Sequence, residues 1–203
     1  MKRLLVCCAH PDDADLGLGA AIARWQREGV EVAYLYATDR SDPTTINEAR
    51  DAAAILGAGR SPAIVRGGLP DCEVASRRAA LLDLLETTRD LVRPDTVVTS
   101  APHDMHQDHE ALLIESRRAF KHETLLTWSI ARSNRAFAPL LFVAVTQDDM
   151  ERKVAAVACY RSEAKKAYCR ADAIWARARY FGSMVDEPFA EVLGAEWFVD
   201  RGR

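Results

Sequence analysis

Residues 3–9 (Arg3-Leu4-Leu5-Val6-Cys7-Cys8-Ala9) are apolar without alternation and end flush against His10-Pro11-Asp12-Asp13. An unbroken apolar run of this length reads as a strand covered on both faces. Such a strand sits inside a sheet with helices on either side, and the rest of the chain has to supply them. Asp15 follows, and then Leu16-Gly17-Leu18-Gly19 leads into a helix. An imidazole and three carboxylates within six residues of a core strand repel one another and lose hydration. A bound cation, or a proton held for chemistry, removes that difficulty.

The following residues meet the constraint. Over 16–27, Leu18, Ile22 and Trp25 recur at helical spacing before Gly29, and 30–37 is dense in β-branched and aromatic residues. This is a βαβ unit, whose crossover is right-handed. Further helices are expected over 46–56, 79–91, 111–121, from Asp148 or Asp149 to about Tyr160, and over 173–181. Further strands are expected at 63–65, 96–99, 123–128 and 140–145, with 66–71 as a loop and 189–199 packing back on the domain. The fold class is therefore α/β. We expect residues 1–203 to form a single Rossmann-like domain with a mostly parallel sheet flanked by helices.

A net charge of −3 supplies no basic footprint, so no nucleic-acid partner is expected. Charged residues recur too often for a membrane span. Cys7, Cys8, Cys72, Cys159 and Cys169 form no C-x-x-C pair. The odd count, with adjacent Cys7-Cys8 inside a strand, fits buried thiols in a reducing, cytoplasmic setting.

The strand at 96–99 exits into Ser100-Ala101-Pro102-His103-Asp104-Met105-His106-Gln107-Asp108-His109-Glu110. Three of the five histidines lie within these residues, a concentration that points to metal or acid–base chemistry. In an open α/β sheet, ligands bind beyond the carboxyl ends of the strands, so this cluster can meet the first one. His10 and Asp13 offer one nitrogen and one oxygen ligand, and His109 completes a facial set of the kind that holds catalytic Zn²⁺. Asp12, next to a ligand but not needed as one, is the natural general base. His106 could stabilise an oxyanion or protonate a leaving amine, held by a hydrogen bond to Asp108. His103 and Asp104 are either outer groups of the site or plain loop. Spacing alone leaves open whether an amide or a phosphoester is cut, or whether the metal serves only a binding protein. The nucleotide loop, the H-E-x-x-H helix and the G-x-S-x-G elbow are all missing.

Ala9-His10-Pro11-Asp12-Asp13, Leu16-Gly17-x-Gly19 and His106-Gln107-Asp108-His109 together resemble the LmbE/PIG-L family of zinc-dependent N-acetylglucosaminyl deacetylases. Weaker likenesses continue through Glu48-x-x-x-Ala52-x-x-x-Leu56-Gly57, Leu69-Pro70-Asp71, Lys153-x-x-Ala156 and Ala190-Glu191. The resemblance implies Zn²⁺ on His10, Asp13 and His109, Asp12 as base, and His106 with its partner Asp108 as the electrophilic or acid group. It implies hydrolysis of an N-acetyl group on an amino-sugar conjugate, and homo-oligomers occur among such relatives. Thr45 stands where relatives often carry a substrate-gripping Arg, and whether Arg50 takes that role is left open. Ala14, Gln107 and Tyr160-Arg161-Ser162-Glu163 also depart from the usual pattern. Asp39 and Arg40 at the exit of the second strand, and Asp71 in its loop, are the other candidate substrate contacts. Trp128 could stack on a sugar ring, and Asp15 and Glu191 read as capping or supporting carboxylates.

Overall fold

A computed structural model describes residues 1–38 and 43–200. Seven strands lie in the order β3-β2-β1-β4-β5-β7-β6, where β1 is Arg3–Cys8, β2 Glu31–Thr38, β3 Ala63–Leu69, β4 Thr96–Ser100, β5 Thr124–Trp128, β6 Leu141–Ala144 and β7 Ala190–Trp197. The first five pair in parallel, and β7 runs antiparallel between β5 and β6. The chain leaves β1 toward β2 and β3, then returns to β4 on the other side. The carboxyl ends of β1 and β4 therefore flank the topological switch point, where an open α/β sheet forms its crevice. His10-Pro11-Asp12-Asp13 and His106-Gln107-Asp108-His109 leave from those two ends.

The apolar first run behaves as its pattern requires. Leu4, Val6 and Cys8 face one core, together with α1 (Asp13–Arg27), α2 (Pro43–Leu56), α5 (Gln147–Ala158) and α6 (Ala171–Gly182). Leu5, Cys7 and Ala9 face the other, against α3 (Arg78–Val92) and α4 (Gln107–Ala119). All six side chains are fully buried. The cysteines are free thiols.

Two boundaries differ from expectation in ways that matter to the site. β3 continues through Leu69 instead of giving way to a loop at Arg66. Gly67 permits this, because a Cβ there would sit 2.5 Å from the Leu84 side chain and 2.6 Å from the Ala37 carbonyl. α4 begins at Gln107, ahead of the expected Ala111, because the His106 imidazole serves as its N-cap by accepting from the Asp108 amide at 3.2 Å. That cap puts Asp108 and His109 in the first helical turn, not in a loop. α5 is capped by a Thr146–Asp149 capping box, ahead of the caps expected.

Candidate active site

The turn after β1 closes on itself: the His10 amide donates to Asp13 Oδ2 at 2.8 Å, and the Asp13 amide to the His10 carbonyl at 3.3 Å. Asp13 thus opens α1 with its carboxylate turned back toward His10. Its Oδ2 lies 3.6 Å from His10 Nδ1, and its Oδ1 lies 3.2 Å from His109 Nε2. The three imidazoles of His10, His106 and His109 gather with ring centroids 4.7–5.4 Å apart. Two strand exits nearly a hundred residues apart in sequence have become one cluster. His10, Asp13 and His109 are each about 3% exposed and Asp12 is 7% exposed, so the donors are nearly dry.

Hydrogen bonding assigns the ring nitrogens. His106 Nδ1 accepts the Asp108 amide, so its proton resides on Nε2, which is a donor and carries no lone pair for a cation. His109 lies between two carboxylates: Asp104 Oδ2 stands 3.0 Å from Nδ1 and Asp13 Oδ1 3.2 Å from Nε2, and both ring nitrogens are buried without a hydrogen bond of good direction. A carboxylate behind a histidine, with the far nitrogen left open, is the usual support of a metal ligand. On His10, Asp71 Oδ1 at 3.0 Å and Asp108 Oδ2 at 3.4 Å both face Nε2, leaving Nδ1 toward Asp13. Donor-atom proximity alone also groups His10, His106 and His109, or His10, Asp71 and Asp108. The tautomers favour His10, Asp13 and His109 over the first of these groups.

The electrostatics agree. Burial opposes charge on His10, but the Asp13 carboxylate, followed by Asp108 and Asp71, overrides it and lifts the imidazole to about 11. His109 rises to about 10, with burial again outweighed by Asp13 and Asp104. Burial also opposes charge on Asp13, yet His109 and His10 hold its carboxyl well below the usual range. His106 moves the other way, pushed down by burial and by its two imidazole neighbours. The carboxylates therefore demand positive charge at His10 and His109. A divalent cation on the same donors would supply that positive charge.

The other expected residues fall as follows. Asp71 is brought into the cluster on His10, and Arg50 is not: it lies exposed on α2 with Asn47 as its partner at 3.4 Å. Asp39 and Arg40 lie outside the described residues. Asp108 corrects one expectation, since its carboxylate does not hold the His106 ring. It accepts from the amides of Cys72 (2.8 Å) and Val74 (3.2 Å), so it anchors the loop that carries Asp71. Asp104 settles as a supporting group, with Ser133 Oγ donating to it at 2.8 Å, while His103 is exposed. Trp128 is fully buried, with its ring against His109 and Gly17, and offers nothing to a sugar. Asp15 is buried under the turn, where Tyr160 Oη reaches both its Oδ2 (2.5 Å) and the Pro11 carbonyl (2.8 Å). Burial, assisted by Asp12, raises the Asp15 carboxyl to about 7 against the Tyr160 bond.

A device that sequence pattern did not reveal lies beneath the cluster. α1 is broken at Leu18 (φ −140°, ψ 17°). Lys153 Nζ donates to the Leu16 carbonyl at 2.8 Å on one side of the break. Its ion-pair partner Glu191 accepts the Ala21 amide at 2.7 Å on the other. The buried pair staples the two halves of the helix. Gly19 admits it, since a Cβ there would lie 2.9 Å from Lys153 Cγ, and Gly17 admits the Trp128 ring.

An α/β sheet with a buried His/Asp cluster at its switch point defines a protein with a ligand- or metal-binding site there, and comparison with known proteins gives its chemistry. Residues 5–119 match the family described as PIG-L, GlcNAc-PI de-N-acetylase. The uncharacterised deacetylase YaiS of Escherichia coli is 28% identical over 183 residues, covering 79% of this chain and 91% of that protein. Diacetylchitobiose deacetylase of Thermococcus kodakarensis is 27% identical over 94% of this chain and 82% of its own length. Among solved structures, the conserved protein TT1542 of Thermus thermophilus superposes with a TM-score of 0.83 at 28% identity, over 98% of this chain and 97% of that one. The chain belongs to the PIG-L family of de-N-acetylases. It is a deacetylase, a hydrolase of N-acetyl amides.

Proposed function

We propose that this deacetylase uses Zn²⁺ held by His10, Asp13 and His109 to remove the acetyl group from an N-acetylated amino-sugar conjugate. The observation that carries the reading is the Asp13 carboxylate set between His10 and His109 while Asp104 backs the far nitrogen of His109. When bound, the ion supplies Lewis acidity, which acidifies water and polarises the acetyl carbonyl. Asp12, between the two ligands of the first turn, takes a proton from the attacking water and passes it to the departing amine. His106 presents Nε2–H to the oxygen that gains negative charge as the carbonyl becomes tetrahedral. Its depressed basicity keeps it neutral at pH 7, so it acts as a hydrogen-bond donor and not as a cation competing with the metal. Asp108 and the loop it anchors hold Asp71 at the mouth, where its side chain is 38% exposed and positioned for a sugar hydroxyl. Water contributes OH to acetate and H to the amine, so the reaction balances without another reactant.

The sugar assignment draws on the relatives, one of which is a diacetylchitobiose deacetylase. Among the described residues no helix is long and apolar enough to cross a membrane. The test is a panel of N-acetylglucosaminyl conjugates incubated with zinc-loaded protein. Equal yields of acetate and free amine from at least one are expected. Cleavage of a phosphoester or glycosidic bond instead, with no acetate, would overturn the reading.

A further inference from the structure

A cavity beside α1 has a lining that includes none of the His/Asp cluster residues. It holds about 300 Å³ between α6, the start of β7 and residues Leu16 and Gly17 of α1. At roughly 30 Å³ for each water-sized atom, that is room for about ten non-hydrogen atoms. Ile130, Ile174, Phe181 and Val192 give it apolar walls, and three charged side chains line it: Lys153, Arg177 and Glu191.

Those charges do not cancel. Glu191 is committed to Lys153 and to the Ala21 amide. Arg177 is half-buried, and its hydrogen-bond acceptors among the described residues are neutral: its Nη2 donates to the Ser129 carbonyl at 3.0 Å and to Ser129 Oγ at 2.7 Å, and its guanidinium lies 5.6 Å from the Phe181 ring. Burial works against its charge, and only the field of Glu191 helps to retain it. Lys153 and Arg177 thus face one lining carboxylate, Glu191, in a largely apolar chamber, with the buried Asp15 acting on Lys153 from beneath the turn. A half-buried guanidinium in such a wall gains from an ionic partner, and its fork matches a carboxylate through two parallel hydrogen bonds.

We propose that this cavity is a binding site for a small monocarboxylate with an apolar body, its carboxylate on Arg177 and its chain against Ile130, Ile174 and Phe181. A bound carboxylate would give Arg177 an ionic partner and fill the space beside the stapled break in α1. Because Leu16 and Gly17 follow Asp13 by one helical turn, the occupant would also brace the turn that carries the acidic cluster.

Hexanoate is a suitable probe. Calorimetric titration into the metal-loaded protein is expected to saturate at about millimolar concentration or tighter, while hexanol and hexylammonium, of equal length, give no saturable heat. Arg177→Met should weaken hexanoate roughly 10- to 100-fold, the worth of a charge-assisted hydrogen bond. Ala173→Phe, which fills the chamber and leaves Arg177 in place, should do the same even if the first variant folds poorly. A carboxylate bound at the catalytic metal would be indifferent to both substitutions. Unchanged affinity in both variants, equal binding of hexylammonium, or no saturable binding of hexanoate would each overturn the proposal.

Discussion

Replacing Lys153 by Met isolates the staple across the break in α1. The substitution keeps the aliphatic stem beside Gly19 but removes the ammonium from a buried position at the cavity wall. Glu191 then remains buried, with the Ala21 amide as its remaining hydrogen bond, and the Leu16 carbonyl loses the Lys153 donor. Breaking a buried pair from one side costs about 3–5 kcal/mol, a large share of the roughly 5–15 kcal/mol that stabilises a typical domain. With a urea m-value of about 2–3 kcal/mol/M, the unfolding midpoint should fall by roughly 1–2 M. Lys153→Met combined with Glu191→Gln keeps an acceptor for Ala21 and removes the stranded charge, so it should cost about half as much or less. A midpoint shift worth under about 1 kcal/mol for Lys153→Met, or a double variant as damaged as the sum of the singles, would refute the staple. The break also sets the direction of the turn bearing Asp12 and Asp13, so the folded single variant should bind Zn²⁺ more weakly in a chelator competition.

Asp104→Ala should lower zinc affinity about 10- to 100-fold in the same competition, the usual cost of removing a carboxylate behind a ligating imidazole; unchanged affinity would remove His109 from the ligand set. Zinc affinity should rise with pH between 5 and 8. Metal-free His10 and His109 hold protons up to about 11 and about 10, and each must be displaced. The logarithm of the affinity should therefore climb by close to two per pH unit, and a flat profile would contradict the ligand assignment. Gly19→Ala should destabilise the fold by about 1 kcal/mol. The strain of a Cβ 2.9 Å from the doubly anchored Lys153, about 1–3 kcal/mol, exceeds the roughly 1 kcal/mol gained in helix propensity. A stabilised variant would show that Lys153 can yield.

The parallel sheet was legible because buried parallel strands carry no alternation, and residues 4–9 and 96–100 show none. The two clusters were legible because each sits directly at a strand exit. What escaped notice has physical causes. α4 starts at Gln107 because an imidazole caps it, and His lies outside the Ser/Thr/Asp/Asn set by which helix starts are recognised. Gly67-Gly68 looked like a loop because glycine pairs normally punctuate, whereas here they let a strand approach Leu84 and Ala37. The pairing of Lys153 with Glu191 is not legible, since nothing local says that residues 38 apart in the chain meet. Asp104 could have been suspected from its place five residues before His109, but only the fold shows which ring nitrogen it faces. From the sequence, Asp108 is expected to hold His106, two residues before it. The early start of α4 turns its carboxylate instead toward His10 and the Asp71 loop.

The central claim is that Asp13 holds the metal and its neighbour Asp12 moves the proton. The most direct test is Asp12→Asn, with zinc content and acetate release measured on one preparation. The account predicts one zinc per chain, as in the parent protein, with turnover reduced by about 10²–10⁴. Full turnover, or loss of zinc together with activity, would contradict it.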